Sequence, residues 1–443
     1  MTSAETLPSP EDVRKILAAL ILADGFDVVF DGEGSHGAWF RDARTGQDYL
    51  DFLTFFASSP IGYNHPRLTE PAFSAMLQRV ARAKPSLSDV YTVEFAAFAR
   101  TFQRIAMRPY LTHAFFVEGG ALGVENALKT AMDWKVRRNR RRGIAGDRGT
   151  QVMHFRQAFH GRTGYTLSLT NTDPIKTDGF AKFAWPRISN PTVSFPLTPA
   201  EESRVAAAES AALDEMRAVF AERADDVAAV IVEPIQGEGG DNHFRGEFLR
   251  AVQELCRGND CFFIVDEVQT GVGLTGRLWA HEHFGLQPDA VAFGKKTQVC
   301  GCLVGPRVDE EPENVFVVSS RLNSTWGGNL VDMVRCARML EVIDEEGLVE
   351  NASRVGGVLL DGLRDIQVEL GGKVSNARGL GLMIAFDLPS PELRDRARSA
   401  LVANRLLVLG CGDRSIRFRP PLNLSVDEAQ AGLDIVRRSL KSL

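Results

Sequence analysis

Between residues 227 and 293 the chain carries three uninterrupted apolar runs, VAAVIV, CFFIV and AVAF, each followed by polar residues or glycine. Runs that stay apolar, rather than alternating, predict strands buried on both faces, and a sheet covered on both faces is mainly parallel. HAFFV (113–117) and QVMHF (151–155) predict two more strands. GGALGVENALKTAMDWK follows the first and RQAFHGRTG the second, so strand and helix alternate from about 66 to 330. On either side the pattern changes. DVRKILAALIL has helical spacing behind a Pro-Glu-Asp start, and AWFRDARTGQDYLDF alternates on both sides of RTGQ, the sign of a hairpin. Beyond 330, helical NLVDMVRCARMLEVI and VGGVLLDGLRDIQVEL lead into GLGLMIAFDL, SIRFRPPLNL and a closing amphipathic helix. The expected organisation is residues 1–65 joining a small domain, 66–330 as a large domain and 331–443 as the small α+β domain.

Composition narrows the class of protein. The 443 residues are 44% hydrophobic and 24% charged with a net charge of −6, an ordinary soluble balance. The acidic excess argues against a nucleic-acid or anionic-membrane partner. ILAALILA, the longest apolar stretch, is too short to span a bilayer. MTSAETLPSPED lacks a basic region followed by an apolar core, so no secretory leader is expected. The six cysteines show no paired metal spacing; Cys300 and Cys302 form only C-x-C and read as small core residues. A reduced, cytoplasmic protein without a metal site is the expectation. KVRRNRRR (135–142) ends the helix predicted from Ala121, where cations suit the carbonyl-rich terminus, and is not read as a nucleic-acid patch.

In an open parallel sheet, ligands bind beyond the carboxyl ends of the strands, so the residues standing there set the chemistry. VAAVIVEP ends in Glu233, with Gln236 and Glu238 beyond it. CFFIVDEVQTG ends in Asp266 and Glu267, with Gln269 after them. DAVAFGKK ends in Lys295 and Lys296, and HAFFVEGG opens into glycines and a helix. Taken singly, such an aspartate is a turn or cap residue and such a lysine reaches for water. Taken together they specify a chemistry. An uncapped helix start offers N–H groups and a positive dipole to a phosphate. A buried carboxylate holds a pyridine nitrogen protonated, and a desolvated lysine can condense with an aldehyde. Phosphate, pyridinium and aldehyde are the three handles of pyridoxal 5'-phosphate. Spacing alone does not choose between Lys295 and Lys296. GVGLTG (271–276) meets the dinucleotide fingerprint in letters, but DEVQT separates it from its strand and RLW opens no amphipathic run. HEH (281–283) lacks the spacing of a zinc motif and reads as structural.

FHGRTG, VEPIQGEGG, FFIVDEVQTGVGLTG, PDAVAFGKK, TWGGN and IRFRPPL stand in the order found in the class III, ω-type aminotransferases, and the chain resembles that family over nearly its whole length. AFGKKTQVCG and RLNSTWGGNL are most similar to its lysine 6-aminotransferase branch; 4-aminobutyrate aminotransferase is the nearer of the other relatives. The resemblance implies the fold-type I transferase architecture: an α/β large domain with a mainly parallel sheet and a small α+β domain. It also implies pyridoxal 5'-phosphate as cofactor and ping-pong transfer of the terminal amine of L-lysine to 2-oxoglutarate, in a homodimer with shared sites.

Carried over residue by residue, the resemblance puts the cofactor-bonding amine on Lys295 and the pyridinium partner on Asp266. Gln269 falls beside the ring hydroxyl and the substrate. Phe159 stacks on the ring, with Val268 packed behind it. Gly120 and Ala121 form the phosphate cup, and Ser324 and Thr325 are the hydroxyls supplied by the other subunit. Lys296 becomes a solvated or phosphate-side neighbour. Arg162 would hold the far carboxylate of either substrate and Arg417 the near carboxylate of glutamate alone, a role suited to arginine's planar fork. Glu238 would pair with Arg417 and swing aside for 2-oxoglutarate. The plainer readings are a surface ion pair for Arg417 and a turn residue for Glu238. Two departures stand out: EGGALG lacks the hydroxyls of the family's phosphate loop, and KTQVCG replaces its glycine-rich tail. Alternative donors are 4-aminobutyrate, ornithine or diaminobutyrate. Alternative functions are a non-catalytic pyridoxal-binding regulator and an aminomutase or decarboxylase.

Overall fold

Neighbouring residues of the central strands enter two different cores. In the strand Val227–Val232, Ala229 and Ile231 join Val124, Leu128 and Trp134 of the helix Gly120–Arg141. Val230 and Val232 join Met216 and Phe220 of the helix Pro199–Arg223, with Phe248 and Val252 of Gly246–Gly258. The strand Phe262–Asp266 divides in the same way, Ile264 to the first cluster and Phe263 and Val265 to the second. Both faces are dry, which is why these runs do not alternate.

This computed structural model describes residues 7–443; the first six, part of the stretch read as free of a secretory leader, lie outside the described residues. The main sheet has seven strands in the order His113–Val117, Cys300–Val304, Ala290–Phe293, Phe262–Asp266, Val227–Val232, Gln151–Phe155 and Arg187–Ile188. All its pairings are parallel except the two made by Cys300–Val304. Cys300 and Cys302 are buried in that strand, as small core residues. The expected α/β class with a mainly parallel sheet is therefore what the chain adopts.

A second layer is antiparallel, ordered Ser375–Leu380, Met383–Asp387, Ser415–Phe418 and Leu409–Cys411, with the helix Leu348–Leu370 packed on it and Val426–Lys441 packed on that helix. The expected hairpin forms between Trp39–Arg41 and Asp48–Asp51, and Leu406–Leu407 adds to it in parallel, joining the first 65 residues to this C-terminal layer. The helix Leu330–Glu345 packs on Val93–Ile105, where Phe98, Phe102, Met333 and Met339 share one core.

The helix expected from DVRKILAALIL is shorter than its periodicity suggests. It runs only over Val13–Ala18, buries no residue, and leaves Leu20, Ile21 and Leu22 exposed. An amphipathic stretch with nothing to pack against gains too little to propagate. The basic run does close a helix: Arg138, Arg140 and Arg141 sit in its last turn and pair with Asp260, Asp147, Glu310 and Glu311. Among the described residues no helix is long and apolar enough to cross a membrane.

Candidate active site

Three of the parallel strands and the helix start deliver their polar ends to one place. Ala292 lies opposite Asp266 in the sheet, so Lys295, three residues further on, emerges beside the end of Phe262–Asp266. Gly294 brings the lysine turn against the start of the helix Gly120–Arg141, where a Cβ added at 294 would lie 3.5 Å from Gly120 Cα. Lys295 has φ +51°, a left-handed backbone that costs of order 1 kcal/mol for a side chain of this kind. Its Nζ has no hydrogen bond or ion pair among the described residues. Burial and the Arg417 charge pull its ammonium down to about 8, against the opposing effect of Asp266 and Glu233. A nucleophilic amine held near neutrality is what condensation with an aldehyde needs.

Lys296 behaves differently from the expectation of a solvated neighbour. It is 2% exposed, and its Nζ donates to the carbonyl of Gln269 at 2.6 Å. Burial, with Lys295 and Arg419 adding to it, drives its ammonium well below the usual range. The 3₁₀ turn Lys295–Thr297 sends one lysine into the site and the other into the wall behind it.

Asp266 is buried. Its Oδ1 accepts the Val268 N–H at 3.0 Å, and its Oδ2 lies 2.8 Å from His160 Nδ1. His160 stands inside FHGRTG beside Phe159 and Arg162, but nothing in that motif marks its contact with Asp266. Behind the pair, Glu233 accepts the N–H groups of Phe159 at 2.9 Å and Gly237 at 3.2 Å, and burial pushes its carboxyl up to about 7. Glu267, by contrast, is consumed structurally, taking hydrogen bonds from Thr270, Ala280 and His281. The HEH histidines serve packing too: His281 faces Glu267, and His283 lies against Thr275.

The helix Gly120–Arg141 starts from Gly119, at φ +102°, with no side-chain cap. Its first N–H groups are thus left for an anion. Space there is reserved by missing side chains: a Cβ at Gly120 would lie 2.8 Å from Val268 Cγ1, and one at Gly161 would lie 2.5 Å from Ala121 Cβ. Phe159 is half-buried nearby, with the Arg162 guanidinium 5.9 Å and the Lys176 ammonium 5.6 Å from its ring centre. An unpartnered, half-buried amine, an anchored carboxylate, an open helix terminus and an aromatic plate fit pyridoxal 5'-phosphate.

On the substrate side, Arg417 is 4% exposed, so it is not the surface ion pair that spacing allowed. Its Nη2 donates to Glu238 at 2.8 Å, while Nε and Nη1 are buried with no partner. Glu238 also accepts from Lys176 at 2.6 Å. Burial pushes the Glu238 carboxyl up, but Arg417 and Lys176 outweigh it and hold the group below its ordinary value. Arg419 is a wall residue: it forks onto Asp241 and clamps the Gln269 side-chain oxygen at 2.8 and 3.0 Å. Arg162 is exposed and has no ion-pair partner among the described residues.

Ser324 and Thr325 are the predicted residues that the chain does not bring to this cluster. Ser324 bonds Ser88 and Gly327, Thr325 is exposed, and no hydrogen bond joins either to the Lys295 group.

The family model for class-III aminotransferases matches residues 25–440. The chain is 50% identical over 438 residues to an L-lysine-epsilon aminotransferase of Amycolatopsis lactamdurans, covering 98% of this chain and 97% of the relative. It is 48% identical to the enzyme of the same name from Streptomyces clavuligerus, over 98% and 95% of the two chains. Among solved structures, lysine aminotransferase from M. tuberculosis in the internal aldimine form superposes with a TM-score of 0.96 at 51% identity, covering 98% of this chain and all of that one.

Proposed function

The chain belongs to the class-III aminotransferases, which work with pyridoxal 5'-phosphate, and from that premise we propose that it moves the ε-amino group of L-lysine to 2-oxoglutarate, releasing 2-aminoadipate 6-semialdehyde and glutamate. The observation that carries this reading is the Glu238–Arg417 pair. A bare guanidinium beside the methylenes of lysine would be an uncompensated buried charge, and Glu238 neutralises it. Glutamate and 2-oxoglutarate bring a carboxylate to that position, so for them Glu238 must withdraw and expose the unpartnered Nε and Nη1 of Arg417. The relatives named above support the same donor.

The chain's residues divide the work. Lys295 Nζ would take the proton from the carbon that bears the substrate amine and deliver it to the cofactor carbon when that group is bound. Asp266, fixed by His160 and the Val268 N–H, keeps a ring nitrogen protonated. The N–H groups at the start of Gly120–Arg141 would hold the phosphate, and Phe159 would cover one face of the ring. Arg162 takes the far carboxylate of either substrate. The cofactor, when bound, supplies the electron sink that stabilises the carbanion left by proton removal.

The protein works as a homodimer in this reading. Thr325 faces solvent in its own chain, which suits a hydroxyl that a second copy presents to the phosphate. Tyr91, Val93 and Trp326, close in the chain to Ser88 and Ser324, are large exposed apolar side chains of the kind an interface covers. A cytoplasmic setting belongs to the same reading.

Incubation with L-lysine and 2-oxoglutarate, with both products identified, tests the proposal. Higher kcat/KM for 4-aminobutyrate, ornithine or diaminobutyrate would reassign the donor. An unchanged spectrum on adding lysine would favour a binding protein, and lysine consumption without glutamate a mutase or decarboxylase.

A further inference from the structure

Glu238 is held by two cations, not one. Arg417 grips Oε2 from inside the site, and Lys176 grips Oε1 from outside, at 2.8 and 2.6 Å. Lys176 follows Pro174 in a short 3₁₀ turn that Asp173 caps by accepting the Ile175 N–H at 3.0 Å. Its Nζ also reaches Thr172 Oγ1 at 3.2 Å and lies over the Phe159 ring. With 15% of its side chain exposed, it is placed by the protein rather than waving in solvent. The pair faces a polar cleft of about 380 Å³, lined by Asp173, Lys176, Glu238, Arg394, Arg398 and Asp413. Glu238 itself sits between Gly237 and the Gly239–Gly240 pair, and Gly240 has φ +127°. The backbone there is held, with the Glu238 carbonyl accepting the Gly412 N–H at 2.9 Å, so it is the half-buried side chain that swings outward into the cleft.

We propose that Lys176 is the outer anchor of Glu238, a positioning residue that favours dicarboxylate binding. This rests on the reading of Glu238 as the residue that yields Arg417 to 2-oxoglutarate and glutamate. When Glu238 leaves Arg417 it loses one charge-assisted hydrogen bond, and without a second partner a partly buried carboxylate would be stranded. Lys176 keeps that carboxylate paired in both positions. It thus stabilises the open state, which glutamate needs, by more than the closed state, where Arg417 already neutralises the carboxylate. Lysine, for which Glu238 stays beside Arg417, draws on Lys176 less.

Single-turnover half-reactions of the holoenzyme, followed by cofactor absorbance with glutamate and with lysine, test the assignment. Lys176→Met should raise the half-saturating glutamate concentration about five- to tenfold, the worth of one charge-assisted hydrogen bond in a partly exposed setting. Half-saturation by lysine should change by less than about twofold, and Lys176→Arg should restore the glutamate value. In a Glu238→Gln background, Lys176→Met should add nothing further. Equal weakening of both amines, no effect on either, or full additivity with Glu238→Gln would overturn the proposal. Absence of any lysine half-reaction in the unmodified enzyme would refute the donor assignment instead, and the glutamate arm would still decide the role of Lys176.

Discussion

His160 donates its Nδ1–H to Asp266 Oδ2 across 2.8 Å, inside a pocket where neither side chain meets solvent to any extent. An ionised carboxylate only accepts hydrogen bonds, so the pairing fixes the histidine tautomer as well as the rotamer of the aspartate. A hydrogen bond to a charged group is worth roughly 1.5–3 kcal/mol. His160→Asn should therefore lower kcat in both half-reactions by about ten- to a hundredfold while leaving the fold intact. Stopped-flow kinetics on the variant check this; wild-type rates would remove His160 from the working site.

The amine of Lys295 is pulled down to about 8, chiefly by burial, and only its neutral form attacks an aldehyde. The sign follows directly. Uptake of pyridoxal phosphate by protein stripped of it should quicken by about tenfold per pH unit below pH 8 and level off above it. With an ordinary lysine the climb would continue past pH 10. Lys295→Ala should lose transamination with its fold retained.

Gly161 has φ +119°, and a methyl group there would press on Ala121 at the helix start. Gly161→Ala should weaken pyridoxal phosphate binding by at least about tenfold, since strain and overpacking each cost of order 1–3 kcal/mol. A fluorescence titration measures the affinity. An unchanged dissociation constant would mean that this approach does not shape the phosphate cup.

The proposed sharing of sites between subunits makes a prediction about mixed dimers. Lys295→Ala and Thr325→Ala chains, each feeble alone, should regain activity when reassorted, because each mixed dimer contains one site with both residues intact. Random reassortment gives about a quarter of the wild-type activity in the ideal case. Failure to exceed the sum of the separate variants would place Thr325 outside the site or within its own subunit's site.

The unbroken apolar runs made the main sheet legible, because a strand buried on both faces has no polar position to interrupt it. Lys295, Asp266 and the start of the helix at Gly120 could be found because each closes or follows such a run. His160 and Lys176 left weaker traces. Their roles depend on contacts with Asp266 and Glu238, 106 and 62 residues away in the chain, and no local pattern encodes a partner so distant. Lys296 is buried rather than solvated for a related reason: spacing along the chain does not say which way a single 3₁₀ turn points its side chains. The short helix at Val13–Ala18 shows the converse, a strong apolar pattern with no surface in its own chain to pack on.

The turn bearing Lys295 bridges two paired strands, with Phe293 set opposite Gly301 at its feet. Inserting or deleting one residue in that bridge would slide the pairing and turn every following side chain of Cys300–Val304 to the wrong face. The turn at Lys295 is therefore the least adjustable part of the machinery. Anyone retraining this scaffold for a different amine should leave the bridge alone and vary the rim, where Arg162 stands free.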